Sequence, residues 1–282
     1  MAKKILIIVA LVLAVIILSL LVYFRIPFSP TKKEYEKYVK KHSAQADTGQ
    51  LMTADDFASY PTAIRKYVEN CGYLGRPKWK QMEIKFRDST LYQQETSPKM
   101  NIEYRQTNFV ESINRFALIE TSVKGIPFHG LDYFSDGHAG MKGVIGKAIT
   151  IFDVQGEKMD QAALVTYLSE CLLVPSALLY NDIEMEEISE YEVRATITRG
   201  EIKVSGIFTF NEEYEPVSFK TDQRAMTQED NSLVYVPWTA VIGEYRVGAS
   251  GLKQPTVFKA IWNFEDHDFT YFEGNLQEIN YR

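Results

Sequence analysis

Tyr167 and Glu170 stand three residues apart in the segment 160–172. There Leu164, Tyr167, Leu168, Cys171 and Leu172 recur at i, i+3, i+4, i+7 and i+8, the period of a helix with one apolar stripe. Residues three apart on a helix are neighbours, so the phenol and the carboxylate share an edge. If that edge faces the hollow of a sheet, Glu170 becomes a buried carboxylate with a perturbed pKa, able to bind a ligand or exchange a proton. The plainer role is an exposed helical glutamate, or one paired with an arginine such as Arg194 or Arg224. A second set of residues suits an apolar ligand. Trp238, Tyr245, Trp262, Tyr271 and Phe272 would line one side of a sheet whose strands pair in chain order. Aromatic walls with a few polar groups are typical of small-molecule pockets, although packed core is their commoner use. The candidate ligand-binding set is therefore Tyr167, Glu170, Arg194, Trp238, Tyr245 and Trp262.

Other constellations carry less. Gly137, Gly140, Gly143 and Gly146 recur every three residues beside Lys142 and Lys147. They would suit a backbone anion nest, but Met141 and Ala148 break the phosphate-loop pattern, and a turn between strands is the simpler reading. His129 and His138 lie near Asp132 and Asp136 and would meet a metal only across a hairpin. With four histidines in the chain and none in paired helical spacing, no metal site is expected. Gly248-Ala249-Ser250-Gly251 is one residue short of a nucleophile elbow. Cys71 and Cys171 end apolar stripes and read as buried thiols; a single disulfide is the alternative in an exported body. No cofactor motif is present, and an enzyme reading rests on Glu170 alone.

The elements that would position these residues follow from the hydrophobic period. Tyr60-Pro61 opens a short helix on which Ile64, Tyr67, Val68 and Cys71 form a stripe, and Gly72 suits its left-handed cap. From residue 81 the period becomes two. Strands are expected near 81–87, 100–110, 115–124, 127–135, 147–154, 191–197, 202–210, 217–219, 234–247, 255–264 and 268–281. Asp160 is the expected N-cap of helix 160–172, and Pro175 ends that segment. About eleven strands joined by short turns imply antiparallel pairing, and a sheet so wide must curl, close or split. The expected fold is α+β: a large curved antiparallel sheet, an open or half barrel, with helix 160–172 packed on its concave face, plus an N-terminal transmembrane helix.

That helix is read from Ile5 to Phe24, an apolar run broken only by Ser19 and long enough to span about 30 Å. The run is longer than a secretory core and ends in Tyr23-Phe24-Arg25 rather than in small residues, which favours an uncleaved single-pass anchor over a signal peptide. The expected organisation is a basic N-terminus (1–4), the span (5–24), a basic stalk and linker (25–59) and one soluble domain (60–282). Residues 1–41 hold eight Lys/Arg and two Glu, net +6, and the remainder is net −12. An acidic body excludes nucleic acid as the expected partner. The basic stalk suits anionic membrane lipids. Strict charge counting keeps the body in the cytoplasm, whereas a short basic start before an apolar run is how exported chains begin; the extracytoplasmic side is preferred.

Several phrases then line up in order: Asp132-Tyr133 with Asp136-Gly137 and Gly140-Met141, Tyr167-Leu168-Ser169-Glu170, Pro175-Ser176-Ala177-Leu178-Leu179, Val193-Arg194-Ala195-Thr196, Val204-Ser205-Gly206, Pro237-Trp238 and Trp262. Over about residues 60–282 the chain resembles a family of bacterial proteins of unassigned activity, often with an N-terminal anchor. It departs from them after Glu170, where Cys171-Leu172-Leu173-Val174-Pro175 lacks the tryptophan the family often has before the proline. The curved sheet with an inserted helix also resembles the half barrel of bacterial lipoprotein carriers, which implies an apolar groove under the helix. The leading expectation is a membrane-tethered domain that binds a lipid or other hydrophobic ligand between sheet and helix. The alternatives are a structural or interaction domain of the cell envelope with a filled core, and an enzyme using Glu170.

Overall fold

The computed structural model describes residues 2–43 and 49–282. Helix α1 (Ala2–Arg25) carries the apolar run, and none of its side chains is buried by the rest of the chain. It is the one described helix long and apolar enough to cross a membrane, as an anchor or as a signal sequence. Its last turn is tied to the body. Lys147, almost wholly buried, donates from Nζ to the carbonyls of Tyr23 at 2.9 Å and Ile26 at 2.6 Å, and its ammonium lies 5.3 Å from the Tyr23 ring centroid. A lysine on the last carbonyls of a helix satisfies orphan acceptors and complements the helix dipole.

The expected stalk is a docked helix. Ser29 N-caps α2 (Pro30–His42), its Oγ accepting from the Lys32 N–H, with Pro30 in the first turn. Tyr35 meets Thr107 through a hydroxyl–hydroxyl bond of 2.8 Å, and Tyr38 stacks on Phe116 at 5.0 Å and on Tyr133 at 5.6 Å. Within the expected stalk and linker, residues 44–48 lie outside the described residues; beyond them Met52 is fully buried. Helix α3 (Thr62–Asn70) buries Ile64, Tyr67 and Val68 as expected, with Pro61 as N-cap rather than first helical residue. Gly72, at φ +80°, closes it: Tyr73 N–H reaches Val68 O and Gly72 N–H reaches Glu69 O.

The sheet has thirteen strands against the eleven expected, antiparallel throughout. In chain order they begin with β1 (Gln81–Leu91), β2 (Met100–Phe109), β3 (Asn114–Val123), β4 (Ile126–Ser135), β5 (His138–Ile145) and β6 (Ile149–Gln155). Then come α4 (Glu157–Glu170), the short α5 (Ala177–Tyr180), β7 (Ile183–Ser189), β8 (Glu192–Arg199), β9 (Ile202–Phe210) and β10 (Pro216–Thr221). A small hairpin of β11 (Ala225–Thr227) and β12 (Leu233–Tyr235) precedes β13 (Trp238–Gly243). The pair β14 (Arg246–Val247) and β15 (Lys253–Gln254) precedes β16 (Val257–Asn263) and β17 (Asp268–Tyr281). The spatial order is β6-β5-β4-β3-β2-β1-β17-β16-β13-β10-β9-β8-β7, so the C-terminal strand joins two meanders in the middle.

The two additional strands are β5 and β7. Within residues 136–147, read as a turn, His138–Ile145 form β5 instead. A side chain at Gly140 would strike the Tyr133 ring and one at Gly143 the Phe152 ring, so these glycines admit aromatic neighbours rather than cradle an anion. In β7 the run Glu184-Met185-Glu186-Glu187 hides the alternation.

Helix α4 begins three residues before the expected start, with Gly156 at its N-cap. Asp160 sits inside the first turn and accepts from the Ala139 backbone N–H of β5 at 2.5 Å. Ten of its residues, including every one from Ala162 to Ser169, are buried. A single stripe was expected; the helix is enclosed because the curled sheet reaches it from both ends. Its main contacts are β4, β5 and β6 on one side and β8, β9 and β11 on the other.

Two histidines tie stability to pH. His42 stacks at 5.5 Å on Phe116, and its Nδ1 lies 2.8 Å from Asn114 Nδ2. Burial pushes its pKa down, outweighing the opposing charge of Asp136. His129, buried on the same outer face, is likewise lowered by burial. A lowered folded-state pKa means that the unfolded chain binds the proton more tightly. Their contribution is complete above the unfolded value of about 6.5 and is lost as pH falls towards the folded values. The melting temperature of the full chain is expected to drop between pH 7.5 and 5.5, and that of His42→Asn/His129→Asn to drop less. Equal slopes would refute this.

Candidate functional site

Side chains alternate across each strand, so the paired register fixes which residues share a face. Following the pairs from β13 to β5 puts Trp238, Ala240, Trp262, Ala260, Phe272, Phe86, Tyr104, Gln106, Asn108, Arg115, Ala117, Asp132 and Met141 on the concave side with α4. Two arginine-centred arrangements stand on this face.

The first is built around Arg115 of β3. Its Nε reaches Glu170 Oε2 at 3.1 Å and Oε1 at 3.2 Å, and its Nη1 donates to Asp132 Oδ2 at 2.6 Å. Nη2 donates to Tyr104 Oη at 2.8 Å and to Gln106 Oε1 at 2.9 Å. Gln106 and Asn108 also donate to Glu170 Oε2, at 2.7 and 2.8 Å. Tyr104, Gln106 and Asn108 are alternate residues of β2, directly beside Arg115 on β3 and Asp132 on β4. Glu170 enters from the last turn of α4, where a carboxylate opposes the helix dipole and needs a cation. Burial works against the Arg115 cation, but Glu170, Tyr104 and Asp132 outweigh it and hold the guanidinium well above its ordinary range. Burial likewise pushes the Tyr104 phenol up. The arrangement has the form of a structural ion cluster in which every guanidinium nitrogen is answered.

The second stands further along this face, at Arg224. Its guanidinium carbon is 4.6 Å from the Trp238 ring, 5.0 Å from Trp262 and 6.0 Å from Tyr271. A register shift in the β16–β17 pair makes Tyr271 the extra residue; its ring stacks on Trp262 at 5.3 Å and its hydroxyl accepts from Trp238 Nε1 at 3.1 Å. Between the two arginines the floor comprises Phe86, Phe258, Phe272, Ala240 and Ala260, of which the last three are only half-buried. Three side-chain hydrogen bonds fasten the β11–β12 hairpin. Gln94 Nε2 donates to Thr227 O, Lys158 Nζ to Leu233 O, and Tyr235 Oη to Gln161 Oε1.

The residues singled out from sequence separate as follows. Glu170 joins the Arg115 cluster, and neither Arg194 nor Arg224 is its partner. Arg194 is exposed on the opposite face, 3.7 Å from Glu186, as the inward alternation of Val193 and Ala195 requires. Tyr167 is buried with its hydroxyl donating to Val110 O at 3.2 Å, and burial raises its pKa. Trp238 and Trp262 are cross-strand partners, joined by Arg224 and Tyr271. Tyr245 lies beyond the far end of β13, its hydroxyl donating to Pro216 O at 2.8 Å. Cys71 and Cys171 are buried and unpaired, and burial pushes the Cys71 thiol up to about 12. Among the described residues no cluster of His, Cys, Asp and Glu has the makings of a metal site. His129 faces outward, Asp132 inward, and Asp136 pairs with Lys41.

The sequence reading missed Arg115 and its amide partners. The signal was present: in Asn114-Arg115-Phe116-Ala117-Leu118-Ile119 both parities are apolar, so the strand is covered on both faces and its arginine must be buried.

The model of a family of unknown function, DUF6544, matches residues 50–274. A search of curated proteins gives no match. Two solved structures are similar in fold at low identity. One is a domain described as an outer membrane lipoprotein-sorting protein from Vibrio parahaemolyticus, 8% identical, covering 78% of this chain and 92% of that one with a TM-score of 0.36. The other is a DUF1329 family protein from Desulfovibrio piger, 9% identical, covering 79% of this chain and 94% of that one with a TM-score of 0.40.

Proposed function

The chain belongs to the DUF6544 family, and we propose that this member is a membrane-tethered domain that holds the chain of a lipid or other hydrophobic ligand between the central strands and α4. The observation that carries the reading is the uneven cover of the concave face. Helix α4 packs mainly on strands from the two ends of the curled sheet, while Ala240, Ala260, Phe272 and Tyr104 in the middle are only partly buried. Small residues flanked by aromatic rings make a shallow apolar trough, the kind of surface that receives an acyl chain.

The tether reading rests on α1 and on what surrounds its exit. Ile126 and Ile149 are both exposed large hydrophobics. The Gly146 position, close to Phe24 and Ile126, and the Lys147 clasp bring this rim of the sheet to the helix end. In this reading α1 remains uncleaved, residues 60–282 act as one domain, and the body stands on the extracytoplasmic side. The burial of α4 along Ala162 to Ser169 favours a second reading, an envelope interaction domain whose interior is already filled.

One titration separates them. The full-length chain carrying Trp79→Phe, in phosphatidylcholine nanodiscs, emits from Trp238 and Trp262. Titration with 9,10-dibromo-octadecanol is expected to quench this emission saturably, and Ala260→Phe, which fills the trough, is expected to abolish the saturable part. Quenching that never saturates and ignores Ala260→Phe would sink the ligand reading and leave the filled-core one.

A further inference from the structure

We propose that Arg224 is the head-group anchor of the trough, and that the ligand is therefore a single-chain amphiphile with an anionic oxygen head, a carboxylate or a phosphate. This rests on the ligand reading above and names its chemical class.

The argument is a contrast between two arginines on one face. Arg115 is answered on every nitrogen, by Glu170, Asp132, Tyr104 and Gln106. Among the described residues Arg224 has one side-chain hydrogen-bond partner, Thr166 Oγ1, which accepts from its Nε at 3.2 Å. Thr166 is itself engaged, donating to Ala162 O at 2.9 Å. Among the described residues no carboxylate lies within ion-pair distance of Arg224, although the body carries far more acidic than basic groups. The rings of Trp238 and Trp262 stabilise the cation, and among the described residues neither terminal nitrogen has a hydrogen-bond acceptor. A planar guanidinium fixed in this way is preorganised for a two-pronged bond to a carboxylate or phosphate. Arg224 is half-buried, so these donors are reachable. Beside it runs the half-exposed floor of Ala240, Ala260 and Phe272. A cation at the end of an apolar strip matches a molecule with one charged end and one greasy one.

The test extends the same titration at pH 8 with 9,10-dibromostearic acid, with the octadecyl alcohol of equal chain, and with the corresponding alkyl phosphate. The acid is expected to bind about tenfold tighter than the alcohol, the scale of a charge-assisted hydrogen bond. Arg224→Gln is expected to remove that preference, so that acid and alcohol bind alike, and Arg224→Lys to keep part of it. Near-UV circular dichroism checks that both variants retain the Trp238–Trp262 packing. A tighter acid assigns the head as carboxylate, and a tighter phosphate as phosphate. Equal binding of all three, or a preference for an anionic head that survives Arg224→Gln, overturns the head-group assignment while the trough stands. Absence of saturable binding by all three overturns both.

Discussion

Arg115→Met is expected to cost about 3–5 kcal/mol of folding stability, because it strands two carboxylates against a buried face. Arg115 is 5% exposed at its side chain and Glu170 16%, so water cannot replace the guanidinium in full. Methionine matches the length of the removed stem and leaves packing largely intact, so the loss is electrostatic. The amide donors of Gln106 and Asn108 remain on Glu170 but carry no charge. Adding Glu170→Gln to Arg115→Met removes one stranded charge and is expected to recover part of the loss. Urea denaturation of the wild-type, single and double variants reads the effect as a shift in midpoint at constant slope. A single variant within about 0.5 kcal/mol of wild type, the range of ordinary surface changes, would show that the cluster is not a support of the fold.

Leu168→Ala is expected to cost about 2–5 kcal/mol, towards the upper end of that range. Leu168 is fully buried on α4, and the helix packs on strands from both ends of one sheet. A cavity in a helical bundle shrinks when a neighbouring helix slides. Here the walls are held by continuous ladders on either side, so the void persists and its full cost is felt. The same denaturation series measures it. A loss below about 1 kcal/mol would mean that the sheet closes around the gap and is more compliant than its ladders imply.

Much of the architecture could be read from alternation and turn chemistry. Strands such as β16, with Phe258, Ala260 and Trp262 on one face, announce themselves because one parity is apolar. Asp136-Gly137, with φ of +56° and +91°, closes the β4–β5 hairpin with the dipeptide such turns prefer. What failed was alternation hidden by other demands. Strand β5 is glycine-rich because rings from β4 and β6 occupy the space of its side chains. The candidate site was legible in part. Trp238 and Trp262 could be picked out from the apolar parity of their strands, and Glu170 from its place beside Tyr167 at the edge of the α4 stripe. The partner of Glu170 was not recoverable, since sequence gives no distance between β3 and α4, and the polar trio of β2 faces inward against the usual rule. Arg194 was legible as outward from its neighbours Val193 and Ala195, and the alternation there outweighed the appeal of a nearby charge.

The grip of Lys147 on the end of α1 has a mechanical consequence. A domain hung from a loose string turns independently of its anchor. This one is held at the Tyr23 and Ile26 carbonyls and again along α2, which lies on the convex side through Tyr35 and Tyr38. Where α1 spans a bilayer, any lean the helix adopts to match the local thickness is passed to the sheet as a rigid lever. The posture of the body over the lipid would then report how thick that lipid is.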